Sequence, residues 1–122
     1  MNRVVDRLRE AYLRELDLYV EVEGLGHAGV RAVRERLPLH RLNEINRQKQ
    51  DRLNRIAEIE MGIAADKDAW RRTRDDRPFA HALDPVLEQL RRRIESILEI
   101  ERETEKSIVE ASGLLESEAA KS

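Results

Sequence analysis

Cysteine is absent from this 122-residue chain. That excludes a disulfide framework and any thiolate metal site, and it fits a reducing compartment. Aromatic residues are scarce: one Trp, one Phe and two Tyr make up 3% of the sequence. A round core in a domain of this size would draw on more aromatic area. No apolar run approaches the ~20 residues that a membrane span needs. The N-terminal MNRVVDRLRE is charged from its third residue, unlike a signal peptide, so a cytoplasmic location is expected. Strand-forming residues never alternate with polar ones over a useful stretch, which argues against a sheet.

What remains is Leu, Ile, Val and Ala in a background of Arg, Glu, Lys and Gln, with charged residues at 39%. That mixture favours long helices with a narrow buried seam. Val5, Leu8, Tyr12, Leu16, Tyr19 and Val22, followed by Val30 and Val33, recur in steps of three and four, the mark of one helical face. The spacing predicts a first helix over about 3–36, ended by Leu37-Pro38 because the residue before proline is pushed out of the helical region. Leu39, Leu42, Ile45, Leu53, Ile56, Ile59, Ile63 and Trp70 predict a second over about 38–74. Asp84-Pro85 reads as an N-cap followed by a first-turn proline, opening a third over about 85–118. Its main face carries Leu87, Leu90, Ile94, Ile97, Thr104, Ile108, Ala111 and Leu115. The expectation is therefore a single all-α domain over residues 1–122. Its long antiparallel helices would form an up-down-up three-helix coiled-coil-like bundle.

Net charge is −2, which argues against a dedicated nucleic-acid binder. The charges are unevenly placed. Residues 31–55 hold eight Lys/Arg and three Asp/Glu, whereas residues 94–122 hold three Lys/Arg and eight Asp/Glu. An up-down-up arrangement would lay these complementary blocks side by side, choosing orientation more than adding stability. Arg91-Arg92-Arg93 and the Arg71, Arg72, Arg74 group lie among opposite charges with no interleaved aromatics. They read as solvated faces rather than a nucleic-acid site.

Gly24-Leu25-Gly26-His27-Ala28-Gly29 matches the G-x-G-x-x-G fingerprint of dinucleotide-binding proteins. There the glycines let the pyrophosphate approach a helix N-terminus within a parallel sheet. Here the helical phase carries across the patch from Tyr19 to Val33, and no further strands are in sight. The patch therefore reads as a weakened part of helix 1 or a place where helices approach closely. His27, His40 and His81 stand alone, without ligand spacing for a metal. No acid, base or nucleophile is set apart by its surroundings. No catalytic residue, metal or cofactor is expected, and the chain reads as a non-enzyme.

The C-terminal stretch has an apolar surplus. Ile97 with Ile100, Ile108 with Val109, and Leu114 with Leu115 fill more of the helix circumference than one seam requires. This predicts either a wide face buried in the bundle or a docking face for a partner's amphipathic helix. The pattern Glu15-x-x-x-Tyr19, then Leu39-x-x-Leu42-x-x-Ile45-x-x-x-Lys49-Gln50-x-x-Leu53-x-x-Ile56-x-x-Ile59-Glu60, resembles the FlgN family of flagellar type III export chaperones. More loosely, it resembles the FliT-type chaperones. The resemblance spans about Val5 to Leu115. It implies a cytoplasmic chaperone that holds hook-associated proteins before secretion, using its last helix to bind the client's disordered C-terminal segment. Mapped onto this chain, the partner-binding residues would be Ile97, Ile100, Ile108, Val109, Leu114 and Leu115. A homodimer is compatible with the same seam. The rival reading is a structural or scaffolding coiled-coil module with no secreted client.

Overall fold

The computed structural model describes residues 2–73 and 79–121, with side chains up to residue 113. It is all-α, and no strand occurs among the described residues. Helix α1 spans Asn2–Arg34, α2 Leu39–Gly62, α3 Ala64–Thr73 and α4 Asp84–Lys121.

The end of α1 lies where Leu37-Pro38 predicts it, and the stop has a definite construction. Leu37 N–H donates to Ala32 O at 2.9 Å and Arg36 N–H to Val33 O at 3.2 Å. These bonds close a Schellman motif on a residue in the left-handed region, usually glycine. Here that residue is Arg36, with φ 54°, a conformation costing a residue with a Cβ about 1–2 kcal/mol. Arg36→Gly is therefore expected to raise stability by about 0.5–1 kcal/mol, after allowing for the greater unfolded-state freedom of glycine. A denaturant midpoint that falls on this change would show that the Arg36 side chain contributes more than its backbone costs.

The predicted second helix is two helices. Ile63, at φ −108° and ψ 8°, interrupts it just after Gly62, a weak helix former. The interruption is one residue wide. Ile63 N–H is shared between Ile59 O and Glu60 O, and Lys67 N–H reaches Ile63 O at 2.9 Å. Helix α4 begins at Asp84, after a turn in which Leu83 is fully buried.

Cross-helix pairings fix how the elements run. Along α1, Arg7 pairs with Asp66, Glu21 with Arg52, and Gly29 lies over Ile45, so partners in α2 and α3 descend in number. On its other flank Arg9 reaches Ala82 O, Glu23 pairs with Arg93, Gly26 meets Ile100 and Arg34 pairs with Glu103. Partners in α4 therefore ascend. Helix α1 is the common neighbour, and no described Cα of α2 or α3 lies within 8 Å of one in α4.

The main core lies at the end of the molecule where α1 begins. Val5, Leu8, Ala11 and Tyr12 meet Ile63, Leu83, Val86 and Leu90, ringed by Tyr19, Trp70 and Phe79. All four aromatic residues of the chain are in this cluster. The opposite end is leaner: Val22, Val30, Ala32, Ile56 and Ile100 are buried there, while Leu37, Leu39 and Leu53 remain exposed.

Candidate protein-binding site

The six residues expected to bind a partner separate into three groups. Ile100 is only 6% exposed, and Ile97 is half-buried and borders the same crevice as Val22, Gly26 and Lys49. These two pack within the chain rather than on an open face. The cause is Gly26. A Cβ placed there would lie 2.9 Å from Ile100 Cγ2, so the missing side chain lets α4 seat Ile100 against the α1 backbone. The glycine patch is thus continuous helix with no positive φ, and Gly26 marks a close helix approach.

Ile108 and Val109 behave differently. They are 43% and 70% exposed, whereas Ser107 just before them is buried. Successive residues turn ~100° around a helix, so Ile108 and Val109 face away from the side on which Ser107 is covered, four residues past the Arg34–Glu103 pair at the end of α1. Helix α4 continues to Lys121, ~27 Å further at ~1.5 Å per residue. Beyond Ser107 no described side chain of α4 is buried. The side chains of Leu114 and Leu115 lie outside the described residues.

The expected union of charge blocks is not formed. Arg34–Glu103 is the only ion pair joining residues 31–55 to residues 94–113 among the described residues. Arg52 and Arg55 pair with Asp51, and Arg52 also with Glu21. Helices α2 and α4 have no Cα pair within 8 Å, whereas both pack on α1, so the arginines of α1 and α2 find nearer carboxylates on their own helices or on α1.

No protein-family model, curated protein or solved structure matches this chain.

One group set apart by its surroundings entered the sequence reading only as part of the Glu15-x-x-x-Tyr19 pattern, with no chemical role. Glu15 occupies a seam position between Tyr12 and Tyr19 and is 2% exposed. It lies at the floor of a cavity of about 410 Å³ that is bordered by Tyr12, Tyr19, Glu60, Lys67, Leu87, Leu90 and Ile94. Burial pushes its carboxyl up to about 8, helped by a hydrogen bond to Glu60 and the negative charge of Glu60, with Lys67 opposing. For Glu60 burial also acts upward, but hydrogen bonds from Glu15 and Lys67 and the Lys67 charge outweigh it and hold it below the usual range. Lys67 Nζ donates to Glu60 Oε2 at 2.7 Å. At neutral pH the two carboxyls thus share one proton, with Glu15 the acid and Glu60 the carboxylate that also faces Lys67. The signal in the sequence was a Glu falling in step with Leu8, Tyr12, Tyr19 and Val22. Spacing alone does not show that such a Glu is buried beside a second carboxyl.

The three histidines are exposed; His81 Nδ1 lies 2.7 Å from Asp84 Oδ2. No cluster of three or more His, Cys, Asp or Glu arranged for a metal ion occurs among the described residues. No helix of the described residues is long and apolar enough to cross a membrane.

Proposed function

We propose that this chain is a cytoplasmic protein-binding chaperone of the kind its sequence resembles. It would hold the C-terminal segment of a hook-associated protein on the projecting part of α4 before type III export. In this reading α2 and α3 count as one leg of an up-down-up three-helix coiled-coil-like bundle, supported by the descending and ascending pairings along α1. The observation that carries the proposal is a pair of apolar residues facing outward near the end of α4. Ile108 and Val109 are exposed on a helix that outruns its neighbour. Exposed apolar residues on a helix offer a face on which a client's amphipathic segment can lie and later be released. The site is narrower than the sequence suggested, because Ile97 and Ile100 are committed to internal packing. That commitment favours the second reading, a structural coiled-coil module that uses its seam to hold itself together.

Val109→Asp separates the two. An exposed Val contributes little to the core, so the variant is expected to melt within a few degrees of the parent while losing client binding. The measurement is thermal unfolding alongside pull-down of hook-associated proteins from a flagellated cell extract. A variant that retains those proteins would remove Val109 from the site. A parent chain that retains none would leave the structural module as the better account.

A further inference from the structure

The two charge blocks are complementary in sequence yet are left mostly unmatched within one chain. Among the described residues, Arg31, Arg36, Arg41 and Arg47 form no ion pair, and neither do Glu99, Glu101, Glu105 and Glu110. Helices α2 and α4 come near enough for Lys49 and Glu101 to border one crevice, yet Arg34–Glu103 is the one ion pair between the two blocks among the described residues. Both blocks, however, lie at the same end of the molecule. The basic one surrounds the α1–α2 corner, and the acidic one continues past it on α4.

That corner is also shaped to receive something. A cavity of about 350 Å³ opens there, with Ala28, Ala32, Leu37 and Ile45 among its lining and Arg31 and Arg41 beside them. Glu35 and Glu44 share this border, so the positive excess comes from the block as a whole. Leu39, next to the corner, is 70% exposed. On the projecting stretch of α4, Ile108 and Val109 supply branched aliphatic side chains flanked by Glu105 and Glu110.

We propose that the occupant of this corner is the projecting stretch of α4 from a second copy of the chain. Each copy would lay its Ile108–Val109 stretch on the other's α1–α2 corner. A twofold arrangement satisfies this reciprocally: the donor and acceptor surfaces lie at the same end of each molecule, so two copies related by one axis exchange both contacts at once. The apolar contacts exclude water while the two charge blocks set orientation. This association holds whether or not a secreted client exists, and a client would compete with it for Val109.

The test uses the full chain and charge reversal. The mass of the purified protein is measured by sedimentation equilibrium at micromolar concentration, in low and in high salt. A dimer that weakens with salt is expected, because exposed charge pairs are screened. Arg31→Glu with Arg41→Glu, or Glu105→Arg with Glu110→Arg, should each weaken association ~tenfold or more, since every change is present twice in a twofold dimer. Mixing the two reversed proteins should restore a heterodimer. Circular dichroism of each variant confirms that helix content is kept. A parent chain that is monomeric in low salt overturns the proposal, and so does a dimer indifferent to both reversals. The Arg31→Glu, Arg41→Glu variant leaves the projecting stretch of α4 unchanged, so it should still capture a client when association is lost.

Discussion

Raising the pH from about 5 to about 9 is expected to destabilise the fold on the order of 3 kcal/mol, through Glu15. Its carboxyl titrates near 8 in the folded chain against about 4.5 when unfolded. Between those values the folded state holds a proton that the unfolded state has lost, so stability falls as pH rises through that window. The contribution is fully present below about 4.5 and gone above about 8. Glu60 works in the opposite sense and in a lower window. Its folded value is depressed, so its contribution is present above the unfolded value and lost as pH falls through the folded one. The two together place maximum stability on the acidic side of neutral, and thermal midpoints should drop by roughly 10 °C or more toward alkaline pH. Glu15→Gln is the deciding variant. The amide is neutral at every pH and keeps a donor for Glu60, so the variant should match the parent near pH 5, exceed it near pH 9 and flatten the profile between. A parent profile already flat over this range would mean that Glu15 is ionised in the fold, and the shared-proton arrangement would be wrong.

Gly26 and Gly24 lie two residues apart in the same helix, and alanine at each is expected to act with opposite sign. At Gly24 a Cβ meets nothing within 4 Å, so Gly24→Ala should stabilise by about 0.5–1 kcal/mol through helix propensity alone. At Gly26 the new Cβ lies 2.9 Å from Ile100 Cγ2. That atom is the branch methyl beside Cβ, not the end of a flexible chain, so α4 must shift or Ile100 must change rotamer. Overpacking of this kind costs about 1–3 kcal/mol, which outweighs the propensity gain. Gly26→Ala should therefore lower the denaturant midpoint. Ile100→Leu, which removes the β-branch, should recover part of the loss, with a coupling of about 1 kcal/mol in a double-mutant cycle. Strict additivity would show that the contact is not what makes Gly26 costly to replace.

The helix class and the approximate breaks were legible because they depend on local chemistry. Steps of three and four from Val5 to Val22 specify a helix face wherever that face packs, and Leu37-Pro38 stops a helix through its own backbone sterics. The Asp84-Pro85 start is local in the same sense. The interruption at Ile63 was not legible, because one displaced hydrogen bond leaves the apolar spacing intact. The sequence alone could list the apolar residues of the last helix. It could not divide Ile97 and Ile100 from Ile108 and Val109, since each pair combines one main-face residue with one beside it. That division depends on where α1 ends relative to α4, and on a glycine in one helix opposing an isoleucine 74 residues later. The charge blocks make the same point. Their complementarity is a property of composition, but whether they pair is set by packing: both α2 and α4 lie closest to α1, with no Cα of one within 8 Å of the other. Glu15 was visible as an acid in an apolar seam, yet its proton is held by burial and by Glu60, brought to it from α2 by packing. Local sterics and periodicity fixed what each segment becomes. Which faces stay open, which charges stay unpaired and which carboxyl keeps its proton arise only from the packing of segments distant in sequence.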